Sequence, residues 1–210
     1  MKKFELTNES IINIFGKKLF RIKALIEFGN VKEGELGGFI EKEENLSHEG
    51  NAWVFGDAKV FGNAEVFGDA KVFGNAEVCG DAKVCGDAKV FGNAEVYGDA
   101  KVCGDAKVFG NAEVYGDAKV FGNAEVYGDA KVCGDAWVCR NADYATIKGF
   151  GTEYRITTFF KCRDRVTRVK CGCFYGDLVE FRNQVKNTRK GKIAEEYLMI
   201  ADLMEKHFDK

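Results

Sequence analysis

Gly80-Asp81-Ala82-Lys83-Val84-Cys85-Gly86-Asp87-Ala88-Lys89-Val90-Phe91-Gly92-Asn93-Ala94-Glu95-Val96-Tyr97 is followed at once by the same eighteen letters over residues 98–115. The block holds three copies of one hexad, Gly-Asp/Asn-Ala-Lys/Glu-Val-Phe/Tyr/Cys. That hexad runs fifteen times without insertion over residues 50–139, with Trp53 and Trp137 taking the charged position in the first and last units. In an extended strand Ala and Val share one face and the residue between them takes the other. The remaining three residues make a corner, where Gly accepts positive φ and Asp or Asn tolerates it. A short strand and a tight corner every six residues describe a parallel β-solenoid, whose units bury their apolar side only by stacking. Because the duplicated block is three units long, and duplication of a whole coil preserves every face, the repeat predicts eighteen residues per coil.

With three units per coil, every third unit shares a face. One corner then stacks Phe55, Phe73, Phe91, Phe109 and Tyr127. The others stack Phe61, Cys79, Tyr97, Tyr115 and Cys133, and Phe67, Cys85, Cys103, Phe121 and Cys139. These side chains do not fit the inward Ala/Val pattern and are expected along the outer edges. The all-aromatic column is a candidate surface for a partner or for self-association, and equally a stack that stiffens its corner. The outward charges sort into ladders: Lys71, Lys89 and Lys107; Glu77, Glu95 and Glu113; Lys83, Lys101 and Lys119. These read first as a solubilising surface.

The spacing from Val54 to Ala58 and from Val60 to Ala64 resembles the hexapeptide-repeat family. The resemblance implies a left-handed triangular β-helix. The segment Val31-Lys32-Glu33-Gly34-Glu35-Leu36-Gly37-Gly38-Phe39-Ile40, then Asn45-Leu46-Ser47, is similar to the lead-in of YdcK-like hexapeptide proteins of bacteria and prophages. The stretch Cys171-Gly172-Cys173-Phe174-Tyr175-Gly176 resembles a tail found on such prophage proteins. That group supplies a setting and no chemistry.

The chain divides into an N-terminal β cap with an imperfect first coil (1–49), the repeat (50–139) and a C-terminal α+β cap (140–210). Residues 11–15 and 19–26 read as a hairpin about Gly16-Lys17-Lys18. Leu36 falls at the Val site and Ile40 at the Ala site of the hexad register. In the tail, two strands (about 154–162 and 166–171) and two helices (about 177–188 and 193–208) make a ββαα cap. Ile193, Tyr197, Ile200 and Met204 supply the helical period.

The formal charge of −2 over 210 residues argues against a strongly charged whole-protein partner. No membrane-length apolar run is present, and the first residues lack the apolar stretch of a signal peptide, so a cytoplasmic location is expected. Eight cysteines in that compartment are expected as free thiols. The stretch from Thr152 to Lys192 is basic. Arg155, Lys161, Arg163, Arg165, Arg168 and Lys170 are its candidates for an anionic ligand, a phosphorylated molecule or nucleic acid. The competing reading is a basic cap docked on an acidic surface. Cys162, Cys171, Cys173 and His207 lack the paired spacing of a zinc site, and no metal or cofactor is expected.

Hexapeptide relatives include acyltransferases with a catalytic His in the coils. Here the two histidines, His48 and His207, lie outside them. The expectation is a non-enzymatic intracellular scaffold or binding protein. It would be a dimer or trimer, phage-encoded in the sense of its flanks, acting in counter-defence on a host factor or a small ligand. An acyltransferase-like enzyme and a nucleic-acid binder through the tail are the alternatives.

Overall fold

The computed structural model describes residues 1–209 and folds the repeat into a parallel solenoid of three sheets. Each hexad supplies one two-residue strand, from β4 (Trp53–Val54) to β18 (Trp137–Val138). Each strand pairs with the one eighteen residues on, as in Val54↔Val72, Val60↔Val78 and Val66↔Val84. Every repeat Ala and Val is buried, forming one continuous core. The backbone is satisfied coil to coil: Lys89 N–H donates to the Ala106 carbonyl and Phe91 N–H to the Val108 carbonyl, both at 2.9 Å. Glycine at the corner is required twice over. At Gly80 φ is +71°, and a Cβ there would lie 2.9 Å from the Gly98 nitrogen.

The N-terminal cap is an antiparallel hairpin of β1 (Phe4–Ile12) and β2 (Lys18–Ala24), followed by β3 (Leu36–Ile40). Its turn lies at Asn13–Lys17, beginning three residues earlier than expected, because Asn13 Oδ1 accepts from the Phe15 and Lys17 N–H groups. The first coil departs from the expected register. Ile40 pairs with Val60 and Leu46 with Val66, so Ile40 occupies a Val site rather than an Ala site. Leu36 is exposed. The six-residue step survives from Ile40 to Leu46; the step from Leu46 to Val54 is eight residues, and those two extra residues displace the register.

This cap seals the coil end with side chains. Trp53 is 0% exposed, with Phe4 and Phe28 set edge-on to its indole. The buried Lys3 ammonium donates to the Gly50 and Ala52 carbonyls at 3.2 and 2.9 Å, and burial pushes its pKa down to about 8. Buried Asn45 donates to the Gly62 and Ala64 carbonyls in the same manner. Carbonyls that a preceding coil would have satisfied are thus taken by polar side chains.

The C-terminal cap has four strands where two were expected. β19 (Tyr144–Ile147), β20 (Thr157–Lys161), β21 (Thr167–Cys171) and β22 (Phe174–Asp177) form one antiparallel sheet. Helices α1 (Leu178–Thr188) and α2 (Gly191–Phe208) follow. Asp177 caps α1 by accepting the Glu180 N–H at 2.8 Å, while Glu180 accepts the Asp177 N–H. The sheet is two-sided. Phe160 belongs to the solenoid core, whereas neighbouring Phe159 packs with Val169, Phe181 and Met204 under the helices.

One cysteine expectation is corrected. Cys85 and Cys103 are joined in a disulfide, with Cα atoms 4.6 Å apart. Corner residues of successive coils stack in register, which brings any two cysteines eighteen apart within bridging distance. The remaining six cysteines are free thiols. Among the described residues no helix is long and apolar enough to cross a membrane.

Candidate functional site

The ladders behave differently along their length. Where the sign changes between successive coils, an ion pair forms: Lys59–Glu77 and Lys107–Glu125 at 2.7 Å, Lys83–Glu65 at 3.0 Å and Lys131–Glu113 at 2.6 Å. Within the like-charged stacks Lys89, Lys101 and Lys119 have no carboxylate within ion-pair distance among the described residues. The aromatic column exists as expected. Phe73, Phe91, Phe109 and Tyr127 stack with centroids 4.7, 4.8 and 5.2 Å apart. Phe55, beneath them, packs against the solenoid core instead. Only Tyr127, 52% exposed, shows most of its surface, because each ring covers its neighbours.

The six basic candidates of the tail separate. Arg168 and Lys170 alternate with inward Val169 and so face the solenoid end. Arg168 is paired with Asp164 at 2.7 Å. Arg155 lies against Gly172 beside a small cavity of about 110 Å³ that also touches Arg189, Phe174 and Tyr197. Lys161, Arg163 and Arg165 come together. They line a groove of about 500 Å³ between the last coil and the tail sheet, with Trp137, Cys139, Arg140, Asp143, Cys162 and Phe208.

The groove arises where the repeat ends. Arg140 stands at a position where every earlier hexad has Gly, and Trp137 stands where most have Lys or Glu. The chain leaves the solenoid there and returns as the turn after β20, whose Arg163 N–H donates to the Asp135 carbonyl at 3.2 Å. Ala136 and Cys162 form a bridge across the seam. These two departures from the hexad were the available signal for a site, and sequence reasoning did not use them. Phe208 could not have been found this way, because only the fold of α2 brings it to the groove.

The groove's electrostatics are lopsided. Its one carboxylate, Asp143, accepts from the Cys139 and Arg140 backbone N–H groups, the Cys139 thiol and the Arg140 guanidinium. Burial raises its pKa, but these hydrogen bonds outweigh that and hold it below the usual carboxylate range. Lys161, Arg163 and Arg165 have no carboxylate partner among the described residues, whereas Arg182 of α1 is held by both Asp202 and Glu205. Both thiols are poor nucleophiles. The hydrogen bond to Asp143, then burial, raises the Cys139 pKa; burial, then Asp135, raises that of Cys162. The arrangement suits binding of negative charge more than covalent chemistry.

The other chemical candidates are held in structural roles. The His48 ring stacks on Phe4 with centroids 4.3 Å apart; its Nδ1 accepts from the Lys3 N–H at 3.2 Å and its Nε2 lies 3.4 Å from Glu43. Cys162 packs on the solenoid side of the tail sheet and Cys171 on the helix side, so the two cannot share a metal ion. No family model matches the chain, and no curated protein is similar to it.

Proposed function

We propose that the protein is a non-enzymatic binding scaffold that captures an anionic ligand in the groove between the last coil and the tail sheet. One observation carries this reading. Lys161, Arg163 and Arg165 converge on one groove without carboxylate partners among the described residues, while Arg168 and Arg182 of the same tail are ion-paired. Three cations with no carboxylate partner among the described residues, beside low-dielectric walls, attract an anion and raise its local concentration. The resemblance of the flanks to prophage proteins gives the proposal its setting: a cytoplasmic protein of phage origin that withdraws a host ligand. The aromatic column of Phe73, Phe91, Phe109 and Tyr127 is the proposed contact for a second copy, read out by light scattering of the wild type and of Tyr127→Glu.

Calorimetric titration with sodium tripolyphosphate tests the ligand reading. Saturable binding that weakens with salt and is lost in Arg163→Glu/Arg165→Glu supports it; absence of any heat in low salt defeats it. The acyltransferase alternative requires a free histidine base, and the engaged ring of His48 weighs against it.

A further inference from the structure

We infer that the anion taken by this groove is a nucleoside phosphate, with its base stacked on Trp137 and its phosphates held by Lys161, Arg163 and Arg165. This rests on the anion-binding reading of the same groove.

Trp137 is the last rung of its face. β18 pairs only with the strand one coil below, so no next rung covers the outer side of the indole. On the inner side Lys119 lies 5.1 Å from the ring centroid and Phe121 meets it edge-on at 4.8 Å. The ring is therefore fixed in orientation while 36% of the residue remains exposed. A pre-set aromatic surface costs little entropy to use. Base stacking on such a surface contributes about 1–3 kcal/mol.

The cations come from a separate element, the end of β20 and the turn after it. Trp137 and Arg163 also border a second groove along the solenoid, lined by Lys83, Lys101 and Lys119 and by Asp81, Asp99, Asp117 and Asp135. There four aspartates accompany three lysines, whereas on the tail side of Trp137 four cations accompany one carboxylate, so the excess of positive side chains lies on the tail side. Phe208 also lines the groove, with Lys161 Nζ 6.0 Å from its ring. An aromatic platform and three cations without a carboxylate partner among the described residues, lining one groove, match a base joined to a short phosphate chain. The groove's volume is that of a small-molecule site.

The chain has two tryptophans, and Trp53 is fully buried, so quenching reports on Trp137. Titration of the full chain with adenosine triphosphate, tripolyphosphate, adenosine and a short oligothymidylate separates the cases. Adenosine triphosphate is expected to quench and to bind about tenfold tighter than tripolyphosphate, corresponding to roughly 1.4 kcal/mol. Trp137→Ala should erase that preference and keep tripolyphosphate binding; Trp137→Phe should retain most of it. Equal affinity for the two with no quenching overturns the nucleotide and leaves the anion site standing. No binding of either overturns both readings. Oligothymidylate binding more tightly than the free nucleotide also overturns the proposal, in favour of a nucleic-acid strand.

Discussion

Trp53 and Trp137 occupy the same position of the hexad, one in the first repeat unit and one in the last. The first is wholly covered and the second is more than a third exposed. Both ends of a solenoid face one problem: the terminal coil offers unpaired backbone and an open core. The N-terminal end solves it by closure, with Phe4, Phe28, Lys3 and Asn45 placed over the first coils. At the C-terminal end an independent sheet docks through Phe160 and leaves a groove beside the contact. The contrast is between an end that is closed and an end that keeps an open groove, the proposed ligand site.

The widest expected separation is between the tryptophans themselves. Trp53→Ala should cost about 3–5 kcal/mol, the usual loss for a large buried aromatic. Trp137→Ala, at a residue more than a third exposed, should cost less, about 1 kcal/mol. Urea unfolding checks both, with amide exchange showing whether the loss at Trp53 stays in the first coils. Comparable losses at the two positions would remove the distinction between the ends.

Phe160→Ala comes next, at about 3 kcal/mol. It should release the tail sheet from the last coil while α1 and α2 remain packed on Phe159 and Val169. Exchange protection should fall at Val120 and Val138 before it falls in the helices. A uniform loss across the tail would mean that the two faces of the sheet are not separable.

The part of this architecture legible in the sequence is the part that repeats. Ala and Val at fixed spacing dictate the strands, and the duplicated eighteen-residue block dictates which strands pair, since stacking identical coils is the only way to bury them. The same periodicity placed the Phe73–Tyr127 column correctly. What lay outside the repeat was read less well, for identifiable reasons. Ile40 was assigned the wrong site because two extra residues between Leu46 and Val54 break the count without altering the local pattern. β19 and β22 were missed because each is four residues long, and β22 contains Gly176, so neither stands out by propensity. The Cys85–Cys103 bridge was missed because compartment was weighed and stacking distance was not. The groove needed the docked tail, although Arg140 in place of glycine already marked where the coils stop.

The two ends should also respond differently to pH. Burial holds the Lys3 pKa near 8, below its ordinary value of 10.5. The unfolded chain therefore binds more protons between these values, and stability rises with pH across that window. The N-terminal coils should gain exchange protection from pH 8 toward 10.5. Lys3→Met should abolish the gain. At the C-terminal coil the raised Cys139 and Cys162 thiols keep their protons in the folded state, so protection there should fall over the upper part of this window, and a gain shared by both ends would contradict the assignment.

The smallest effect lies midway between the ends. Glu77 and Glu113 are each paired with a lysine, but Glu95 lies in register between them with no cation of its own. Burial, then Glu113 and Glu77, raises its pKa above the ordinary carboxylate value. A carboxyl raised in this way disfavours the folded state at neutral pH, and the cost is relieved as pH falls through the folded-state value. Glu95→Gln removes the charge and retains the shape. It should stabilise the protein by about 0.2–1 kcal/mol at pH 7, the range for like charges facing each other across strands. The advantage should fade as the solution is acidified past the ordinary glutamate value. Thermal midpoints of the two proteins at neutral and acidic pH measure the difference. A stabilisation that does not depend on pH would point to packing rather than charge.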